Sequence, residues 1–199
     1  MMDQSVVSWR RQQRATLIGA RQAMSPHDRQ IVADIIADKL NRVTTVLGTS
    51  IVGLYWPIKN EISLMPWGRA LAQHKGVALC LPVVVTPKAP LEYWRWTPGE
   101  AMQPGFWNIP RPTHRDVLAP DLLLAPLVGF DQNNYRLGYG GGYFDRTLAS
   151  LEPRPIVIGV GYDFSALETI FPQPHDIPMR AVLTERRDTL PVEWNEHAA

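Results

Sequence analysis

The sequence lacks the features that mark several large classes of protein. Its 199 residues include one cysteine, Cys80, so no internal disulfide can form. Cys80 lies in the apolar run of residues 77–85, which predicts a buried strand in which a thiol packs rather than reacts. Prolines or charges interrupt every apolar run before it reaches the roughly 18 residues of a membrane span. Residues 1–5 lack the pattern of a secretory signal. We therefore expect a cytoplasmic protein with no membrane partner.

Net charge is also nearly absent. Twenty Lys and Arg residues stand against nineteen Asp and Glu residues, which leaves a formal charge of +1. A global field that would draw in nucleic acid is therefore missing, and we expect no nucleic-acid partner. Only four of the twenty basic residues are Lys, so sixteen are Arg. The forked guanidinium of Arg suits phosphate and carboxylate groups, which points weakly to anionic ligands.

The order of apolar segments predicts the fold class. Helical periodicity or helix-start signals cover residues 5–23, 26–46, 66–74 and 143–151, and short apolar runs predict strands at 51–56, 77–85, 122–125, 156–160 and 181–184. Residues 91–96 alternate as an edge strand does, whereas residues 98–120 and the stretch before residue 142 are interpreted as loops. This alternation predicts a single α/β domain over residues 1–199, with a largely parallel sheet and helices on both faces.

The most informative segment runs from Arg136 to Arg146. Four of its five residues 138–142 are glycine, and a helix is predicted to start directly after them. Such a segment lets backbone N–H groups approach a phosphate, although a simple tight turn is the alternative. Two known phosphate-binding motifs are excluded: a dinucleotide fingerprint would need glycine at Tyr143, and a P-loop would need Gly-Lys-Ser/Thr, which the sequence lacks. Asp145, in the first helical turn, either complements the helix dipole or supplies one Mg²⁺ ligand beside phosphates.

Two other groups of residues are candidates for ligand binding. Arg10, Arg14 and Arg21 fall at about 0°, 40° and 20° around the first helix, so they share one stripe. Such a stripe is most often a solvated face, and lining a phosphate site is the alternative. Trp56 and Glu61 follow the first strand, where an aromatic ring with a carboxylate suits a flat heteroaromatic ligand. Plain packing and solvation are the alternative there.

Taken in order, these motifs resemble the 5-formyltetrahydrofolate cyclo-ligase family. The resemblance rests on the following residues: Arg10 and Arg14 followed by Arg21; Tyr55-x-Pro-x-x-x-Glu61; Leu81-Pro82; Trp107-Asn108-Ile109-Pro110; Leu124-x-Pro126-x-x-x-Phe130-Asp131; Arg136-Leu-Gly-x-Gly-Gly-Gly-Tyr-x-Asp145; and His175-Asp176-x-Pro178. The glycine-containing motif is specific to this family, and its order with the other motifs makes coincidence improbable.

The resemblance implies a reaction and its partners. It implies a monomeric enzyme that uses ATP and Mg²⁺ to convert 5-formyltetrahydrofolate, a reduced folate, into 5,10-methenyltetrahydrofolate. ADP and phosphate are released, and the formyl oxygen is phosphorylated on the way. The alternatives are a family paralogue that activates another substrate with ATP, or a non-catalytic protein that binds folate or nucleotide.

The resemblance also implies roles for individual residues. It assigns catalysis to Arg136 and Tyr143, and Mg²⁺ binding to Asp145; the chemistry requires no dedicated general base. Folate contacts are implied for Trp56, Glu61, Trp107 and Tyr143. ATP contacts are implied for Arg10, Arg11, Gln12, Gln13, Arg14, Arg136, Leu137, Gly138, Tyr139, Gly140, Gly141, Gly142, Tyr143 and Phe144.

Four positions depart from the family pattern. Arg180 stands where many members have an Asp that assists the metal, so metal binding would rest on Asp145, phosphates and water. Arg111 stands where Glu or Gln is common. Tyr139 and Gly141 stand where some members have basic residues, which removes contacts to a triphosphate.

Overall fold

The computed structural model describes residues 4–195, so the ends of the predicted domain, residues 1–3 and 196–199, lie outside it. The helices are α1 Gln4–Ala23, α2 Pro26–Leu47, α3 Met65–Lys75, α4 Tyr143–Ser150 and α5 Val192–Asn195. The strands are β1 Ile51–Gly53, β2 Ala78–Val83, β3 Glu92–Arg95, β4 Met102–Pro104, β5 Pro110–Pro112, β6 Leu122–Pro126, β7 Gly129–Asp131, β8 Arg136–Leu137, β9 Ile156–Val160, β10 Ala166–Leu167 and β11 Ala181–Leu183. None of the helices described between residues 4 and 195 is long and apolar enough to cross a bilayer.

A central sheet organises the fold. Within the described residues it has six strands in the order β11-β9-β6-β1-β2-β3. The first five are mutually parallel, and β3 pairs antiparallel with β2 at the edge. β7, β8 and β10 form a separate small sheet. The predicted α/β fold with a largely parallel sheet is confirmed.

Both faces of this sheet are buried by helices. Leu122 and Leu124 of β6 point into a core that includes apolar residues of α2 and α3, such as Ile36. The intervening Leu123 points into a second core that includes Leu148 of α4. Successive strand side chains alternate between faces, so an apolar run such as β6 must be covered on both.

The start and end of α2 follow the expected chemistry. The Ser25 hydroxyl accepts a hydrogen bond from the backbone N–H of Asp28 at 3.1 Å, and Pro26 occupies the first helical position. Gly48 ends the helix with a φ of 59°, a left-handed conformation that glycine adopts without steric cost. The predicted boundary at Ser25-Pro26 is therefore confirmed.

Two regions predicted as loops contain short strands. Residues 98–120 hold the β4–β5 hairpin around a tight turn at Phe106–Asn108, and the stretch before residue 142 holds the β7–β8 pair. Prolines at 104, 110 and 112 hide the strand pattern because they cannot donate to a ladder, and two- or three-residue strands show no measurable periodicity. The first predicted strand is shorter than expected, because pairing ends at Gly53.

Gly53 lies where the sheet leaves no room for a side chain. A Cβ at this position would overlap the side chain of Leu123 and stand 3.2 Å from the Tyr93 ring. We expect Gly53→Ala to lower the free energy of unfolding by about 1–3 kcal/mol through overpacking, measured by urea denaturation.

Gly19→Ala is the matched control for this substitution. Gly19 lies inside α1 with open space around it, so alanine should raise stability by about 0.5–1 kcal/mol. Equal stability of Gly53→Ala and the wild type would contradict the close packing.

Candidate active site

The candidate site lies where the order of the strands along the sheet reverses. β1 and β6 are neighbours, yet the chain continues from β1 to β2 on one side and from β6 through β9 to β11 on the other. Open α/β sheets bind ligands beyond the carboxyl ends of the strands at such a point. The loop at residues 54–64 follows β1, and residues 127–142, which include β7 and β8, follow β6. These two stretches supply half of the predicted site residues.

Residues 138–142, here called the glycine-rich segment, join β8 to α4. Gly140 has a φ of 91° and Gly142, at the start of α4, a φ of 62°; both values are strained for L side chains. At Gly138 a Cβ would stand 2.6 Å from Nη1 of Arg136. The glycines therefore allow both the backbone path and a close approach of guanidinium groups, as an anion-binding segment requires.

A buried carboxylate holds the hairpin that leads into this segment. Asp131 Oδ1 accepts hydrogen bonds from the backbone N–H groups of Asn133 and Tyr135 at 3.0 and 3.1 Å. Its Oδ2 accepts from Ile170 N–H at 3.2 Å. The sequence DQNN beginning at Asp131 is typical of an Asx turn, and this is the signal that could have located the β7–β8 hairpin in advance.

The arginine stripe of α1 faces the protein interior. Arg10 and Arg21 are buried and Arg14 is half-buried. The solvated face that such a stripe usually forms is therefore the wrong interpretation here. All three side chains contact loops of the candidate site or of its rim, because α1 packs on the small sheet through Leu17, whose side chain lies against Gly129.

Arg10 is committed to protein partners. Its Nε donates to the carbonyl of Ile170 at 2.9 Å, and its Nη2 donates to the carbonyl of Phe171 at 3.0 Å and to Asp176 Oδ2 at 2.5 Å. Both side chains of this ion pair are about nine-tenths buried. Arg10 therefore fixes the loop at residues 170–176 against α1; its predicted contact with ATP stays a prediction.

Arg14 lies over the glycine-rich segment. Its Nε donates to the carbonyl of Gly138 at 2.7 Å, and its guanidinium is 3.4–3.6 Å from the place a Cβ would take on Gly140. Burial and the neighbouring Arg10 lower the pKa of Arg14, which Asp176 partly offsets. The structure thus brings a half-buried cation to the segment predicted to bind phosphate.

Arg136 and Asp145 form a partly buried pair at the other end of the segment. Arg136 Nη2 is 3.4 Å from Asp145 Oδ2, and Asp145 Oδ1 accepts from the N–H of Ile177 at 3.3 Å. Burial lowers the pKa of Arg136, which Asp145 opposes. The guanidinium also lies 4.6 Å from the ring centroid of Phe144, which supports it from one face.

Binding of Mg²⁺ at Asp145 stays a prediction, with which the chemistry of the site is compatible. Within residues 4–195 no three His, Cys, Asp or Glu side chains stand close enough together to hold a metal on their own. Asp145 offers one carboxylate whose two present contacts are both long. Mg²⁺ is commonly held by one or two carboxylates together with substrate phosphates and water, and Asp145 suits that donor set.

Glu61 is a buried carboxylate, with 6% of its surface exposed. Oε2 accepts from the N–H of Ile58 at 2.9 Å, and Oε1 accepts from the Tyr139 hydroxyl at 3.0 Å. Burial raises the pKa of Glu61, while the Ile58 N–H, the nearby Arg21 charge and the Tyr139 hydroxyl oppose the rise. A carboxylate in this setting is suited to accept hydrogen bonds from the donors of a polar ring.

An aromatic wall stands beside the glycine-rich segment. Trp107 is 66% exposed, and its ring meets Tyr143 edge-on with centroids 5.6 Å apart. Phe106 contacts Trp107 at 4.5 Å between ring centroids. The Tyr143 hydroxyl accepts from the N–H of Lys88, which ties the wall to the loop after β2. The predicted pair Trp107 and Tyr143 is therefore brought together.

The remaining predicted residues differ in how far their side chains are exposed. Trp56 is half-buried against the core on the α2 and α3 face. Arg11 and Gln12 are exposed on α1, and Gln13 is half-buried. Leu137 and Phe144 are buried, so only their backbone is available to a ligand on the segment.

The departures from the family pattern have local explanations. Arg180 Nη2 contacts Glu193 Oε1 at 3.2 Å, and its guanidinium lies 5.8 Å from the Trp194 ring centroid, so it packs on α5. Arg111 lies over the Trp94 ring at 4.9 Å. Tyr139 turns its side chain toward Glu61.

Comparison with known proteins gives one consistent family. Residues 6–185 match the profile described as the 5-formyltetrahydrofolate cyclo-ligase family. A relative of that name from Haemophilus influenzae is 32% identical over 139 residues, which cover 66% of this chain and 74% of the relative. The namesake from Escherichia coli K12 is 29% identical over 171 residues, covering 82% and 93%.

Solved structures agree with the fold. The NMR structure of the Aquifex aeolicus 5,10-methenyltetrahydrofolate synthetase has a TM-score of 0.77 at 27% identity, covering 90% of this chain and 91% of that one. The Mycoplasma pneumoniae 5,10-methenyltetrahydrofolate synthetase has a TM-score of 0.73 at 23% identity, covering 89% and 99%. The latter similarity bears on the fold alone.

The buried pair of Arg10 and Asp176 generates a stability prediction. Arg10→Met leaves Asp176 buried without its cation and removes the donor to two carbonyls, so the free energy of unfolding should fall by about 3–5 kcal/mol. Urea denaturation measures the change. Arg11→Met, one position along on an exposed face, should stay within about 0.5 kcal/mol of the wild type. Equal losses for the two variants would contradict the structural role of Arg10.

Proposed function

Because the chain belongs to the 5-formyltetrahydrofolate cyclo-ligase family, as the match over residues 6–185 establishes, we propose that it is an ATP-dependent ligase acting on a reduced folate. The substrate is 5-formyltetrahydrofolate and the products are 5,10-methenyltetrahydrofolate, ADP and phosphate. Residues 1–199 act as one domain in this proposal.

One observation carries the proposal: a half-buried cation and a buried carboxylate meet at the same glycine-rich segment. Arg14 lies over Gly140, while Tyr139 of the segment donates to Glu61. The first contact suits a polyanion and the second suits a ring with hydrogen-bond donors. A nucleotide and a folate bound side by side have these two requirements.

The nucleotide half works by charge neutralisation and positioning. Backbone N–H groups of the glycine-rich segment and the N-terminus of α4 face the phosphates, and Arg14 and Arg136 supply positive charge. Phosphoryl transfer depends mainly on such positioning and electrostatic stabilisation. Mg²⁺ bound to the nucleotide and Asp145 would add charge neutralisation at the phosphate oxygens.

The folate half holds the formyl group toward the terminal phosphate. Glu61 accepts hydrogen bonds from the ring, and Trp107 and Tyr143 enclose its neighbouring part. The formyl oxygen attacks the γ-phosphorus and ADP leaves. N10 of the folate then attacks the formyl carbon and loses its proton to solvent, and phosphate leaves with the former formyl oxygen. Phosphorylation is needed because an amide-like oxygen is otherwise a poor leaving group.

An absorbance assay tests this function directly. Purified protein with 5-formyltetrahydrofolate and Mg-ATP should accumulate the methenyl product, and omission of ATP should abolish the rise. No product from a protein that still binds ATP would overturn the substrate assignment. A protein that binds neither ligand would overturn the proposal as a whole.

Gly140→Ala tests the nucleotide half. A Cβ at Gly140 faces the Arg14 guanidinium at 3.4 Å and projects into the segment, so we expect the KM for ATP to rise about tenfold or more. The folate KM should change much less, and steady-state kinetics separate the two.

Gly99→Ala is a matched control for backbone strain. Gly99 has a φ of 92°, close to the 91° of Gly140, but its surroundings are open. Both alanines therefore have a similar conformational cost of about 1–2 kcal/mol. If Gly99→Ala raised the KM for ATP as much as Gly140→Ala, strain and not phosphate access would explain the effect.

A further inference from the structure

Tyr139 belongs to the glycine-rich segment, but its side chain serves the folate half of the site. Its hydroxyl donates to Glu61 Oε1 at 3.0 Å and accepts a hydrogen bond from Arg21 Nη2. Its ring lies near two cations, with the Arg21 guanidinium 5.8 Å and the Lys59 ammonium 5.3 Å from the ring centroid. These contacts fix the direction of the hydroxyl.

The chain of hydrogen bonds is directional. Arg21 is itself held by the carbonyls of Lys59 at 2.9 Å and Leu127 at 3.1 Å, and its Nη2 donates to Tyr139. A donor that accepts from a cation is polarised and donates more strongly in turn. The hydrogen bond from Arg21 therefore strengthens the hydrogen bond that Tyr139 donates to Glu61.

Among residues 4–195, hydrogen bonds to the Glu61 carboxylate are donated by Ile58 and Tyr139. The backbone N–H of Ile58 donates to Oε2, and the Tyr139 hydroxyl is the side-chain group that donates to Oε1. The charged or titratable groups that influence Glu61 are Arg21 from α1, Arg136 from β8, Tyr139, Tyr55 after β1 and Tyr162 after β9. Of these, Tyr139 is the one shown donating a hydrogen bond to the carboxylate.

We propose that Tyr139 is a positioning residue that orients the Glu61 carboxylate as a hydrogen-bond acceptor for the folate ring. This inference rests on the proposed function. Because Tyr139 is part of the segment that faces the nucleotide, the hydroxyl also joins the two halves of the site. We expect its effect to fall mainly on the folate side, since the ring keeps its contacts with Arg21 and Lys59 when the hydroxyl is removed.

Tyr139→Phe tests the role because it removes the hydroxyl and keeps the ring between its cations. The KM for 5-formyltetrahydrofolate should rise about tenfold, as expected for a lost hydrogen bond to a charged group. The KM for ATP should stay within about twofold, because phenylalanine keeps both the ring contacts and the backbone N–H groups of the segment.

The pH dependence supplies a readout that a general loss of structure would not move. Burial already raises the pKa of Glu61 and the hydroxyl opposes the rise, so its removal raises that pKa further. Folate binding requires the ionised form, so it weakens as pH falls through this pKa. The acid limb of kcat/KM for folate should therefore move to higher pH in Tyr139→Phe.

The same shift can be measured without substrate. Carbon-13 NMR of protein labelled at the glutamate carboxyl carbons follows the titration of Glu61, and Glu61→Gln identifies the resonance. Tyr162→Phe is the control, since its hydroxyl donates to the Asn60 carbonyl at 2.9 Å in the same loop but not to the carboxylate. It should leave the Glu61 titration much closer to that of the wild type.

The outcomes separate this inference from the proposed function. A wild-type protein that turns over no 5-formyltetrahydrofolate overturns the function, whatever the NMR titration shows. An active wild type whose Glu61 titration and folate KM are unchanged by Tyr139→Phe overturns the role of Tyr139. A titration shift of equal size in Tyr162→Phe also overturns it, because loosening of the loop would then be sufficient.

Discussion

The inward-facing arginine stripe of α1 is the interaction on which the rest of the site depends. α1 has little apolar surface to bury, since Leu17 is its buried apolar residue among those described. Arg10, Arg14 and Arg21 instead donate to loop carbonyls and to Asp176. Loop carbonyls have no ladder partner of their own, and a fork of N–H donors satisfies several at once. Hydrogen bonds from these arginines therefore attach α1 to the loops of the site and hold those loops in position.

The sheet topology explains why those loops meet. β1 and β6 are adjacent although about 70 residues separate them, and the loops after both strands open at the same edge. Glu61 comes from one loop and Tyr139 from the other. A carboxylate that is buried needs donors, and the glycine-rich segment brings one. The sheet topology therefore brings the buried Glu61 carboxylate within hydrogen-bond distance of the Tyr139 hydroxyl.

The sequence was sufficient to predict the longer helices and strands, whereas the functional roles of the nominated site residues stay predictions. Helical spacing and the Ser25-Pro26 start located α2, and the apolar run at residues 122–125 located the central strand. The strand pairs inside residues 98–120 and 127–142 were missed, because two or three residues carry no period. The orientation of the arginine stripe could not be predicted from the sequence. Helical angles show that Arg10, Arg14 and Arg21 share a face, but they do not show which part of the protein that face contacts. The same holds for Tyr139, whose hydroxyl partner lies 78 positions away.

The separation of partners along the chain has a consequence for synthesis. Arg10 pairs with Asp176 across 166 residues, and Arg14 reaches Gly138 across 124. Because α1 is synthesised well before its partners, it cannot complete its docking until residue 176 has emerged from the ribosome. Closing loops of this length delays such contacts relative to local ones. We therefore expect the contacts that order the ligand site to form late, so that affinity for its ligands distinguishes a fully folded chain from a partly folded one.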